Sequence, residues 1–173
     1  TIVLDASSTK GEYSPGETIS LLISAKKENG QDYSGEIELS NFTRDLVLLE
    51  AVKTVEVEID EDISAGNYAI NLNLNDDMGN VGSKLFQFKI SQVASRISFG
   101  VNKLDIMPGE NISISGEVLD QSGGRMYEGI NLELISPKGL KVTSAISPEK
   151  DVSAVIFPHN STKGTWRIVA TSG

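Results

Sequence analysis

The chain reads as an all-β protein: two tandem immunoglobulin-like β-sandwiches, the second expected to lack its last strand within these residues. Three observations predict this. Apolar residues alternate with a period of two, turn signals recur at short spacing, and the pattern of the first half returns in the second.

The elements follow in order. Pro15-Gly16 is a turn, after which Ile19, Leu21, Ile23 and Ala25 alternate with mostly polar partners, Leu22 being the exception. Asn29-Gly30 turns the chain into a second alternating run. Val55, Val57 and Ile59 alternate with Glu56, Glu58 and Asp60, and Tyr68, Ile70, Leu72 and Leu74 with Ala69, Asn71, Asn73 and Asn75. Asp77–Gly79 turns into a last strand, Lys84–Ile90, carrying Phe86, Phe88 and Ile90. Lys103–Gly139 then repeats the grammar of Lys10–Phe42: Pro108-Gly109-Glu110, the run Ile112, Ile114 and Val118, a Gly123-Gly124 turn, and Ile130, Leu132 and Leu134. Gly164-Thr165-Trp166-Arg167-Ile168 answers Gly66-Asn67-Tyr68-Ala69-Ile70. One buried and one wetted face per strand is the mark of antiparallel sheets. The repeat places a boundary near Ser91–Ser95 and domains at 1–92 and 93–173. The second copy reaches Gly173 directly after its Trp166–Ala170 strand, so a final strand is expected from a continuing chain or from another subunit.

Composition narrows the chemistry. With no Cys there is no disulfide scaffold, thiolate metal site, thioester or cysteine nucleophile, and His159 alone cannot build a His-rich metal site. Fifteen Lys+Arg against 24 Asp+Glu give a net charge of -9, which argues against nucleic acid as a partner. The longest strongly apolar stretch, Leu46–Leu49, is far short of a membrane helix, so no membrane span is expected in this segment. The charge is uneven: residues 1–92 hold 7 Lys+Arg and 16 Asp+Glu, whereas residues 93–173 hold 8 of each. Different surroundings are expected for the two halves, the second packed among neighbours.

The order Tyr13-x-Pro15-Gly16-Glu17, alternating strand, Gly-containing turn, alternating strand and Gly66-Tyr68 strand resembles the immunoglobulin-like modules of archaeal and bacterial cell-surface proteins. The second copy is also similar to the macroglobulin-type module, and Ala65–Ser83 is similar to the penultimate strand and Asp-x-x-Gly-Asn turn of surface repeats. The resemblance implies a role in S-layers, adhesins, stalks or spacers, with an extracellular or cell-surface location. Its macroglobulin branch implies a protease trap, of which a segment without Cys would be a non-reactive portion.

Candidate sites are few. Asp60, Glu61 and Asp62 form an oxygen-rich loop that calcium could use, and Asp76 and Asp77 with Asn80 form a second. The D-x-D-x-D-G signature is absent, and Asp-x-x-Gly-Asn is good turn chemistry by itself. No other cofactor is implied. Tyr33 and Tyr127 occupy corresponding turns and offer a partner-binding or glycan-binding surface, while Tyr68 and Trp166 fall on the core phase of their strands. Sequons at Asn41, Asn111 and Asn160 are candidate glycosylation sites. No nucleophile elbow, Ser/His/Asp set or phosphate loop is present, so the expectation is a non-catalytic structural or adhesive module that contacts other protein domains, copies of itself or cell-surface glycans. The alternative is a glycan-, peptide- or protein-binding accessory part of a larger secreted protein or enzyme.

Overall fold

The computed structural model describes residues 1–150, 152–157 and 159–173, all of them strand, turn or irregular. No helix is long and apolar enough to cross a membrane. The chain forms two compact units, Thr1–Gln92 and Val93–Gly173.

The first unit contains β1 (Ile2–Ser7), β2 (Glu12–Tyr13), β3 (Thr18–Lys27), β4 (Ser34–Asn41), β5 (Asp45–Glu50), β6 (Val52–Glu58), β7 (Gly66–Asn75) and β8 (Val81–Ile90). One sheet runs β1-β3-β6 and the facing one β2-β8-β7-β4-β5. Pairing is antiparallel except for β2, which lies parallel to β8 with Glu12 opposite Lys89 and Tyr13 opposite Ile90. The alternation of the sequence becomes the core: Ile19, Leu21, Ile23 and Ala25 on β3 face Ile37 and Leu39 on β4, Ile70, Leu72 and Leu74 on β7, and Phe88 and Ile90 on β8. Phe88 gathers Tyr13, Phe42 and Tyr68 into an aromatic cluster, with Phe42 edge-on at 4.9 Å.

The second unit contains β9 (Ala94–Val101), β10 (Asn111–Asp120), β11 (Arg125–Met126), β12 (Ile130–Ile135), β13 (Lys141–Ile146), β14 (Val152–Ile156) and β15 (Arg167–Ser172). β10 pairs with β9 on one side and with β14 and β11 on the other, while the facing sheet runs β13-β12-β15. This repeats β1-β3-β6 and β5-β4-β7. Among the described residues nothing answers β8: β15 is hydrogen-bonded to β12 alone, although β9 also touches it.

The repeated Pro-Gly-Glu sequence has one physical cause in both units. Pro supplies the fixed φ of the second turn position and Gly16 (φ 77°) or Gly109 (φ 83°) supplies the left-handed third. The turn closes through Glu17 N–H to Ser14 O and Glu110 N–H to Met107 O. The glutamate then folds back: Glu17 accepts from Ser14 N–H at 2.8 Å and pairs with Lys10 at 2.8 Å. Glu110 accepts from Met107 N–H at 2.8 Å and pairs with Lys103 at 2.9 Å. Both carboxyls are thereby held below the usual range, Glu17 chiefly by Lys10 and Glu110 chiefly by the Met107 N–H.

Candidate functional site

Asp60, Glu61 and Asp62 lie exposed in the loop after β6, where Glu61 leans over Gly16. Asp76 is committed to its turn: Oδ1 accepts from Met78 N–H at 3.0 Å and Asn80 N–H at 2.8 Å, and Oδ2 from Asn80 Nδ2 at 3.0 Å. These bonds, the Asn80 side chain first, hold its carboxyl below the ordinary range. Asp77 is exposed. Among the described residues no three His, Asp or Glu side chains converge as a metal-holding group.

The two tyrosines do not form matching surfaces. Tyr33 is 6% exposed and Tyr127 76%. The cause is strand phase: Tyr33 precedes buried Ile37 by four residues and keeps the inward phase, whereas Tyr127 precedes buried Ile130 by three and points outward. The Tyr33 ring lies over Gly35, where a Cβ would sit 2.6 Å from Cζ. Burial pushes its hydroxyl up, and the neighbouring Asp76 carboxylate adds to this. Two residues singled out separately in the sequence are thus brought together. Tyr127 instead offers its hydroxyl to Glu149 at 3.2 Å. Asn41 (at φ 79°), Asn111 and Asn160 are all exposed, at the end of β4, the start of β10 and in a turn.

Sequence reasoning passed over Asp120, buried at the end of β10. A register shift between Leu119 and Asp120 breaks the alternation, so Val118, Leu119 and Asp120 are all buried. Its Oδ1 accepts from Gly124 N–H at 2.7 Å and from Ser122 N–H and Oγ at 2.9 Å each, closing the Gly123-Gly124 turn.

A slot of about 970 Å³ lies in the second unit. One wall is the irregular segment after β9, with Leu104, Ile106 and Met107; the other is Gly164, Trp166 and Ile168 entering β15. Phe157 closes the floor, edge-on to Trp166 at 4.9 Å, and the indole N–H donates to Thr162 O at 3.1 Å. Position by position this is the place β8 occupies in the first unit. Leu39 pairs with Leu72 on β7 as Leu132 pairs with Ala170 on β15, so Ile70 corresponds to Ile168. Ile70 is 0% exposed, whereas Ile168 and Ala170 are only part-buried. Tyr13, sealed under β8, corresponds to part-buried Ile106.

No protein-family profile matches the chain, and no curated protein matches it. Among solved structures it is similar to an Escherichia coli alpha-2-macroglobulin activated by porcine elastase, at 10% identity and a TM-score of 0.45 over 99% of this chain and 20% of that one. It is also similar to the Yersinia pseudotuberculosis adhesin InvE, at 12% identity and 0.43 over 99% and 58%. A third is the amphioxus IgVJ-C2 molecule, at 11% and 0.40 over 93% and 98%. The chain therefore spans a fifth of the macroglobulin chain and somewhat over half of the adhesin.

Proposed function

We propose that this chain is a non-catalytic structural and adhesive module of an extracellular, S-layer-like modular protein, contacting other protein domains, further copies or cell-surface glycans. One observation carries the reading: what is buried serves the sandwich. Both cores are apolar, and the buried residues Asp120, Ser136 and Ser153 each hold a turn or bridge the two sheets, while among the described residues the buried Glu128 Oε2 has no hydrogen-bond partner. Asp120 closes its turn, Ser136 Oγ accepts from Leu140 N–H at 2.9 Å, and Ser153 on β14 bonds Ser144 on β13, between the two sheets, at 2.6 Å. A general acid or base works within hydrogen-bond reach of its substrate and in surroundings that tune its pKa, for which none of these three side chains is placed. In a module of this kind contacts belong to edges and loops, and rigidity is the product. Calcium, if used, would act through Asp60, Glu61 and Asp62, since Asp76 already spends its oxygens on its own turn.

The second reading, an accessory recognition module, is favoured by one feature. The Tyr127 ring is exposed, with its hydroxyl on Glu149, and Leu46 and Leu48 face outward on edge strand β5. Surface biotinylation of intact cells that make the native protein tests the first reading. Recovery in the labelled fraction is expected, and confinement to the cytosol overturns it.

A further inference from the structure

We infer that edge strand β5 pairs antiparallel with β5 of a second copy of this chain, centred on Val47, so that the five-stranded sheet of the first unit continues into that of its partner. Such a contact rests on the reading above, a module that meets further copies of itself, and gives that reading a surface.

The backbone leaves this edge open. Lys89 N–H and Ser91 N–H donate to Gly11 O and Tyr13 O, both at 2.9 Å, so odd-numbered residues of β8 turn their polar groups to β2 and even-numbered ones to β7. In an antiparallel ladder this direction alternates residue by residue. Carried through Phe86 opposite Ile70, Asn71 opposite Ser40 and Leu39 opposite Asp45, it leaves the N–H and C=O of Leu46, Leu48 and Glu50 pointing off the sheet. Leu48 O agrees, since it accepts from Lys53 Nζ there at 3.1 Å.

The side chains select both the register and the occupant. Leu46 and Leu48 are 67% and 56% exposed, whereas Val47 and Leu49 face the core. The faces of two copies match only when a residue lies opposite itself at the centre of the pair. With Val47 at that centre, Leu46 meets Leu48 and Arg44 meets Glu50, each twice by symmetry. Moving the centre to Leu46 or Leu48 sets a leucine against Arg44 or Glu50 instead. Arg44 and Glu50 are exposed, and neither forms an ion pair among the described residues. A strand with a cation at one end, an anion at the other and leucines between is complementary to itself reversed, which singles out a second copy as the occupant.

This edge is also less guarded than its counterpart. The matching edge strand of the second unit, β13, turns Lys141, Thr143 and Ala145 outward, the kind of surface by which sheet edges avoid pairing. On β5 the guard is Lys53, itself exposed, whose bond to Leu48 O a backbone N–H of the second copy replaces.

Sedimentation of the full chain between about 10 μM and about 1 mM, the range of weak pairwise contacts, tests this. A reversible dimer is expected, with amide exchange at Leu46 and Leu48 slowing as concentration rises. Arg44→Glu or Glu50→Arg, at exposed positions that do not endanger the fold, sets like charges against each other at both ends of the pair and should weaken it about tenfold. Arg44→Glu/Glu50→Arg in one chain should restore the dimer, and an equimolar mixture of the two single variants should pair more tightly than either alone. A chain that stays monomeric throughout overturns the inference, as does a dimer indifferent to both single variants or one not recovered in the double. Confinement of the native protein to the cytosol would instead refute the extracellular reading and leave this dimer intact, so the two failures are distinct.

Discussion

Ile70 and Ile168 hold the same position in matching sheets, so replacing each with Ala isolates what β8 contributes. Ile70 sits on β7 between Asn41 of β4 and Phe86 of β8 and is fully buried. Removing three of its carbons leaves a cavity that its neighbours cannot close, and costs about 3–4 kcal/mol. Ile168 pairs with Leu134 on one side and faces the open slot on the other. Solvent can enter the space it vacates, and Ile168→Ala should cost only about 1 kcal/mol. Urea unfolding separates the two units by probe: Trp166 reports the second, and the tyrosine-rich near-ultraviolet signal mainly reports the first. Equal losses for the two variants would refute the reasoning, because they would mean that β15 is as well covered as β7. A strand bound in the slot should raise the cost of Ile168→Ala towards that of Ile70→Ala.

Four further outcomes are expected. Gly35→Ala should destabilise the first unit by about 1–3 kcal/mol by driving a methyl into the Tyr33 ring, measurable by urea unfolding. Gly129→Ala, whose added carbon would meet Ile146 O at 3.3 Å, should cost less. Because the carboxyls of Glu17 and Glu110 are lowered in the folded chain, their contribution is present above the ordinary glutamate range and lost as pH falls through the lowered values. Melting curves recorded into acid should show Tm falling below that range, with a smaller fall in Glu17→Gln/Glu110→Gln. Tyr33 works in the opposite direction: its hydroxyl is raised, so stability holds below the ordinary tyrosine range and declines as pH rises through the raised value. Tyr33→Phe should flatten that alkaline decline. Finally, millimolar calcium should leave Tm unshifted, because no three carboxylates converge among the described residues. A clear rise that Asp60→Asn/Asp62→Asn abolishes would place an ion at that loop.

Strand phase was legible wherever the ladder is regular. Ile19 to Ala25 and Tyr68 to Leu74 alternate in sequence and alternate in burial, because a pleated strand has only two faces. The turns were legible for the same local reason: Pro15-Gly16 and Pro108-Gly109 carry their own dihedral preferences. The difference between Tyr33 and Tyr127 was also within reach, since counting back from Ile37 and Ile130 gives opposite parities, but motif alignment matched the letters and ignored the phase. Asp120 was out of reach. It is buried by an irregularity in pairing with β9, where its partner Ala94 lies 26 residues back along the chain, and no local pattern signals which strand will slip.

By itself the sequence determined which stretches are strands, which of their faces are apolar and where the chain must turn, since all three depend on residues a few positions apart. Only the tertiary structure decided what each face meets. Ile70 and Ile168 sit in matching sequence contexts, yet one is sealed and the other borders a slot, because burial depends on whether a strand lies alongside. For Ile70 that neighbour is β8, joined to β7 by the Asp76–Asn80 turn, whereas the apposition of the two sheets brings together residues far apart in the chain, and no periodicity within one strand encodes it.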